Sequence, residues 1–62
     1  MIVLTKLNHA AFVLNCDLIE TIEESPDTTI MLSNGKLLLV EERAAEVVEK
    51  IIAYHKKIGV RH

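Results

Sequence analysis

The sequence of 62 residues predicts an α+β fold, with about five short antiparallel strands in a bent sheet or partial barrel followed by one C-terminal amphipathic helix. Two observations support this prediction. Short apolar segments separated by turn residues occupy residues 2–40, which is typical of consecutive strands. From about residue 42 the apolar residues recur with the period of an α-helix. A chain of this length forms at most one domain, residues 1–62.

The first part of the chain predicts three strands. Their aliphatic and β-branched residues favour the extended conformation. In residues 18–24, Leu18, Glu20 and Ile22 alternate with Ile19, Thr21 and Glu23, which indicates a third, partly solvated strand. The predicted strands and the turns between them are, in order, residues 2–7, Asn8-His9, residues 11–15, Cys16-Asp17 and residues 18–24.

The segment PDTTIMLSNGKLLLVEE predicts a hairpin of strands 4 and 5, formed by residues 29–33 and 36–40. Residues 25–28 form the preceding turn, since Pro restricts φ and the Ser and Asp side chains bond nearby backbone amides. Asn34-Gly35 is a strong signal for a two-residue type I′ turn, in which both central residues have positive φ.

Both faces of this hairpin are apolar, because residues 30–32 and 37–40 are uninterrupted apolar runs. Side chains alternate between the two faces of a strand, so a strand with one solvated face would show alternating polarity. We expect the helix to cover one face and a second copy or another protein to contact the other. The candidate interaction residues are Ile30, Leu32, Leu37, Leu38, Leu39 and Ile52.

The last third of the chain predicts the helix. Its acidic residues precede its basic residues, which suits the helix dipole, and Gly59 suits a C-terminal cap. No Ser, Thr, Asp or Asn stands at residues 41–43 as an N-cap, so the start of the helix stays open. The apolar stripe comprises Ala44, Val47, Val48, Ile51, Tyr54, His55 and Ile58.

Size and charge exclude several classes of protein. The net charge of −2 gives no general attraction to nucleic acid or anionic membranes. The longest apolar run, residues 10–14, is far too short to span a bilayer, and the N-terminus lacks the pattern of a signal peptide, so we expect a cytoplasmic protein. One cysteine permits no intramolecular disulfide and no Cys-rich metal site, so we expect a small core stabilised by homo-oligomerisation.

The potentially reactive residues form no catalytic, cofactor-binding or metal-binding motif, and we expect no enzyme. Cys16 has no histidine base nearby in sequence, so a small buried cysteine is the simplest interpretation. His55 is interpreted as a partly buried ring in the helical stripe, with a metal or pH-switch role as the alternative. The remaining candidates are interpreted as solvated residues: His9, His62 and the acidic group Glu20, Glu23, Glu24 and Asp27.

Three segments, LTKLN, FVLNCDLIETIEESPDTTIMLSNGK and VVEKII, resemble in order and spacing the flagellar FlbD family, whose Bacillus-type members are called the swarming motility protein SwrD. The resemblance extends from Met1 to about Ile58. It implies a small bacterial cytoplasmic protein that supports swarming or flagellar motor output. Together with the apolar faces, it leads to the hypothesis that the protein acts by protein–protein contacts, with motor components as partners at the cytoplasmic face of the motor. The family tends to have Asn-Gly at Asn8-His9 and a Ser at Arg43, where this chain departs from the pattern.

Two alternatives rest on shorter resemblances. MIVLTKL is similar to the opening of the carbon storage regulator family of messenger-RNA-binding dimers, but the similarity ends there. The segment from residue 19 into the helix is similar to a LytTR-like DNA-binding subdomain. Nucleic-acid affinity depends on Lys and Arg contacts to phosphates, so the acidic balance of the chain disfavours both.

Overall fold

The computed structural model describes residues 1–59, with side chains through residue 57. Five antiparallel strands precede one C-terminal helix, which confirms the predicted α+β class. His62 lies outside the described residues, and the predicted capping role of Gly59 stays a prediction. The elements are β1 Ile2–Thr5, β2 Ala11–Leu14, a 3₁₀ turn Cys16–Leu18, β3 Ile19–Glu24, β4 Thr28–Leu32, β5 Leu37–Val40 and α1 Ala44–Gly59.

The strands form two sheets that are joined at one point and do not close into a barrel. One sheet has the order β1-β2 and the other the order β3-β4-β5. An antiparallel bridge between Lys6 and Val40 links them, and the Glu41 N–H donates to the Thr5 carbonyl at 2.8 Å. The chain therefore forms a bent arrangement in which the end of β1 lies beside the end of β5.

The two hairpin loops have the same geometry. In the second loop the Gly35 N–H donates to the Leu32 carbonyl and the Leu32 N–H to the Lys36 carbonyl, both at 2.8 Å. Gly35 has φ 86°, whereas Asn34 is not among the residues with positive φ. This is a three-residue loop that ends in a left-handed residue, so the predicted two-residue type I′ turn is wrong. The Asn34 side chain accepts from the Lys36 N–H at 2.9 Å and favours this conformation.

The first loop repeats this arrangement with different residues. The His9 N–H donates to the Lys6 carbonyl at 2.8 Å, and the Lys6 N–H to the Ala10 carbonyl at 2.9 Å. Asn8 accepts from the Ala10 N–H at 3.0 Å, as Asn34 does in the other loop. His9 holds the left-handed position with φ 73°, where the second loop has glycine.

The core is small and draws on every part of the fold. Its four completely buried large side chains come from β1, β4, β5 and α1: Leu4, Ile30, Val40 and Val47. The other buried apolar residues are Ile2, Leu14, Cys16 and Leu32, with Phe12, Ile19, Ile22, Leu38, Ile51 and Tyr54 partly buried against them. The buried Cys16 agrees with its predicted environment.

A bulge in β3 changes which of its residues face the core. The register to β4 shifts between Ile19 and Thr21, so Glu20 is an extra residue in the pairing. Ile19 and Ile22 therefore both become partly buried, and the predicted strict alternation of this strand is broken. Leu18, predicted as the first strand residue, lies in the 3₁₀ turn and is exposed.

The apolar stripe of α1 is narrower than predicted. Val47 is completely buried and Ile51 and Tyr54 are partly buried, at the spacing of one helix face. Val48 and His55, which the sequence placed in the same stripe, are exposed because they lie on the flanks of that face. His55 nevertheless packs edge-on against the Tyr54 ring, with 5.5 Å between ring centroids.

Because the two loops share one geometry, positions 9 and 35 should both prefer glycine to a residue with a Cβ. Gly35→Ala should lower the free energy of unfolding by about 1 kcal/mol, since a left-handed residue with a Cβ is disfavoured. No atom lies within 4 Å of the added Cβ, so the effect comes from the backbone. His9→Gly should likewise be about 1 kcal/mol more stable than His9→Ala. Urea unfolding measures both differences, and equal stability of the two His9 variants would contradict the shared geometry.

Candidate interaction surface

The outer face of the β3-β4-β5 sheet carries exposed leucines. Leu37 is 58% exposed and Leu39 is 43% exposed, and both point away from the core. In the pairing of β5 with β4, Leu37 lies opposite the partly buried Met31 and Leu39 lies opposite Thr29. We call Met31, Leu37 and Leu39 the outer leucine face. Adjacent apolar side chains on one side of a sheet form a continuous surface, which distinguishes this group from a single exposed leucine.

The other predicted interaction residues lie elsewhere. Ile30 and Leu32 belong to the core, because β4 directs these alternate side chains inward. Leu38 pairs with Ile30 and is only partly buried. Ile52 is 52% exposed on α1. The inward face of the hairpin is thus covered within the chain, and the outward face is not covered by the described residues.

A shallow groove continues the outer leucine face. It runs between β5 and the first hairpin and is lined by Lys6, Leu7, Asn8, Phe12, Leu37, Leu38 and Leu39. The Lys6 ammonium lies 5.7 Å from the centroid of the Phe12 ring. Leu7 and Phe12 did not emerge from the sequence, because only the bridge between the two sheets brings the first hairpin beside β5.

The first hairpin has a second exposed apolar pair. Val3 and Val13 are directly opposite each other in the β1-β2 register, and they are 55% and 64% exposed. This pair is smaller than the outer leucine face, and its strand neighbours Thr5 and Ala11 contribute little apolar area. It therefore offers a matched reference for tests of the larger surface.

The N-terminus of α1 is capped by a residue from β3. The Glu24 carboxylate accepts from the Ala44 N–H at 2.8 Å and from Arg43 Nε at 2.7 Å. The hydrogen bond from Ala44 is the largest influence and lowers the pKa of Glu24 below its usual range. Desolvation opposes it, and the hydrogen bond and charge of Arg43 lower the pKa further. The missing N-cap is thus supplied by the distant Glu24 carboxylate, and the interpretation of Glu24 as a simply solvated residue is wrong.

Glu42 attaches the segment before α1 to β1. Its carboxylate accepts from the Thr5 N–H at 3.0 Å and from Thr5 Oγ1 at 2.8 Å. Desolvation by itself would raise the pKa of Glu42, but the two bonds from Thr5, a bond from the backbone of Glu42 itself and the charge of Lys50 together lower the pKa. Together with the Glu24 cap, this contact orients the helix relative to both sheets. His9 also pairs with Glu41 in this region.

A third group of polar side chains meets at the other end of the molecule. The Cys16 sulfur, an Asp17 carboxylate oxygen and a His55 ring nitrogen all lie within 4.8 Å of one another. Cys16 is buried, whereas Asp17 and His55 are exposed. No histidine is near Cys16 in the sequence, but packing of α1 against the strands brings His55 close to it in the fold.

In the part of the chain that the structure describes, no helix has the length and apolar character needed to cross a membrane. The fold defines a small α+β domain with an apolar outer sheet face. Residues 1–59 match the family FlbD, flagellar and swarming motility proteins. The chain belongs to this family, which confirms the resemblance seen in its sequence. Comparison with curated proteins and comparison with solved structures each gave no match.

The two carboxylate contacts predict that acid destabilises the fold. A folded-state pKa below the unfolded value of about 4.5 contributes stability above that pH, and the contribution is lost as pH falls through the folded-state pKa. At neutral pH, Glu42→Gln should lower the free energy of unfolding by about 1 kcal/mol through weaker hydrogen bonds. Below pH 4.5 the difference from the wild type should shrink.

Urea unfolding at a series of pH values measures this dependence. Glu24→Gln should also flatten the pH dependence, because it removes the charge at the helix N-terminus. Glu20→Gln, a change of the same kind in the same strand, is the matched control and should leave the dependence unchanged. Parallel pH profiles for the wild type and Glu42→Gln would contradict the assigned role of Glu42.

Proposed function

We propose that this protein is a non-enzymatic, cytoplasmic accessory protein that supports swarming or flagellar motor output through protein–protein contacts. Membership of the flagellar and swarming motility family supports the proposed role in swarming or flagellar motor output. The exposed outer leucine face supports the mode of action, since large apolar patches on soluble domains typically mark contact sites. We further propose flagellar motor components as partners, at the cytoplasmic face of the motor.

The observation that carries the proposal is the exposure of Leu37 and Leu39 beside an incompletely paired strand edge. β5 pairs with β4 along its length, but among the described residues its other edge pairs with the first hairpin at Val40 alone. Exposed strand edges can pair with another strand, and neighbouring apolar side chains then add affinity. Polar residues such as Thr29 and Lys6 border the apolar surface, as in many interfaces.

We propose that a second copy of the chain is one occupant of this face. A two-fold dimer brings the same surface of each copy together, so both outer leucine faces would be buried. Burial of a half-exposed leucine contributes on the order of 1 kcal/mol. Burial of four leucines alone does not offset the free-energy cost of the translational and rotational freedom lost on association. A stable dimer therefore also requires burial of Met31 or Leu7, or pairing of the β5 edges.

Sedimentation velocity over a range of concentrations tests self-association. The wild type should change from monomer to dimer in the micromolar range. The double variant Leu37→Thr, Leu39→Thr should weaken the dimer by at least about a hundredfold, because threonine preserves strand propensity but removes most of the apolar area. The double variant Val3→Thr, Val13→Thr is the matched control and should dimerise like the wild type. A wild-type chain that remains monomeric throughout this range would refute the dimer.

Swarming of the flagellated host tests the function in the cell. Deletion of the gene should reduce swarming and motor torque, and the wild-type gene should restore both. The outer-face double variant should fail to restore them although its accumulated protein level is normal, whereas the Val3, Val13 double variant should succeed. Normal swarming and torque after deletion would refute the proposed role in motor output.

The RNA-binding alternative stays a prediction. Salt-dependent binding of RNA by micromolar protein would support it, and the wild type and both double variants provide the samples. RNA binding depends on basic side chains, so the leucine substitutions should not affect it. The substitutions therefore distinguish RNA binding from function through protein–protein contacts.

A further inference from the structure

We propose that Cys16, Asp17 and His55 form a binding site for a zinc-class transition-metal ion. The three side chains offer a sulfur, a carboxylate oxygen and an imidazole nitrogen within 4.8 Å of one another. These are the three kinds of donor that bind Zn²⁺ in proteins. This site is separate from the outer leucine face and does not depend on the proposed function.

The distances between the three candidate ligand atoms allow all of them to bind one ion after small side-chain movements. Bonds from zinc to sulfur, nitrogen and oxygen are roughly 2.0–2.3 Å long, so tetrahedral ligand atoms lie roughly 3.3–3.8 Å apart. The three candidate ligand atoms lie within 4.8 Å of one another, so their largest allowed separation exceeds the tetrahedral value by about one ångström. Asp17 and His55 are exposed, so rotation of their side chains can supply that movement without opening the core.

The backbone around the first two ligands is fixed by local hydrogen bonds. The Asn15 side chain accepts from the Asp17 N–H at 3.0 Å, and the Asn15 carbonyl accepts from the Leu18 N–H at 3.1 Å. The Ser33 N–H donates to the Leu18 carbonyl at 2.8 Å, which connects this 3₁₀ turn to the end of β4. Cys16 and Asp17 therefore project from a supported turn, and such preorganisation favours metal affinity.

The third ligand lies on a different element. His55 belongs to the second half of α1, and its ring packs edge-on against Tyr54. An ion held by all three residues would connect α1 to the turn between β2 and β3. Such a connection stabilises the folded chain by mass action, because the unfolded chain does not hold the three ligands together.

The chemical type of the three ligand atoms determines which metal ions they prefer. A thiolate and an imidazole favour Zn²⁺ and similar borderline ions over Mg²⁺ and Ca²⁺, which prefer oxygen ligands throughout. Three protein ligands leave a fourth tetrahedral position for water or for a group from a partner. Binding releases the Cys16 proton, since the thiolate is the form that ligates metal.

Titration of the tag-free protein with Co²⁺ and then Zn²⁺ tests the proposal. Co²⁺ should produce a thiolate-to-cobalt charge-transfer band, and Zn²⁺ should displace it. Saturating Zn²⁺ should raise the Tm by several degrees. His55→Gln and Asp17→Asn should each weaken binding by at least about tenfold, and Cys16→Ala should abolish the charge-transfer band. Because His55 and Asp17 are exposed, their variants should keep the metal-free Tm.

The control is His9→Gln, the same substitution at an exposed histidine outside the cluster. It should bind Co²⁺ and Zn²⁺ like the wild type. Absence of a charge-transfer band and of any Tm increase in the wild type would overturn the proposal. Equal metal affinity of His55→Gln and His9→Gln would overturn it as well, because His55 would then not be a ligand.

Discussion

The fold depends on one contact among four side chains. Leu4, Ile30, Val40 and Val47 are completely buried, and they come from β1, β4, β5 and α1. A chain of 62 residues has little further interior, since small domains bury a low fraction of their surface. This cluster holds the two sheets and the helix together, because within residues 1–59 the strand pairing between the two sheets is limited to the bridge at Lys6 and Val40.

The same limit on the interior explains the apolar surface. Half of the residues are hydrophobic, yet the interior accepts few of them, so several large aliphatic side chains remain outside. On the β3-β4-β5 sheet Leu37 and Leu39 lie beside Met31 and continue into the groove of the first hairpin, whereas Val3 and Val13 form a smaller pair. This difference in arrangement, rather than the number of exposed residues, makes the outer leucine face the better candidate for a contact in this flagellar family.

Polar contacts between distant residues determine how the helix lies on the sheets. Glu24 caps its N-terminus, Glu42 attaches the preceding segment to Thr5, and His55 meets Cys16 near its other end. The hydrophobic period of the sequence indicates the helix but not where it begins, because residues 41–43 include no Ser, Thr, Asp or Asn to act as an N-cap. A carboxylate 20 positions away serves that role, and no local pattern in the sequence indicates such a partner.

The succession of strands and helix along the chain and the positions of the turns followed from the sequence alone, because hydrophobic period and local turn chemistry indicate them. The family followed from the resemblance of three quoted segments, which the match over residues 1–59 confirms. The sequence did not determine the loop type at Asn34-Gly35 or the bulge at Glu20, since small changes in backbone angle and register decide both. Only the tertiary structure separated the buried Ile30 and Leu32 from the exposed Leu37 and Leu39. That separation depends on which side of the sheet the helix and the first hairpin cover.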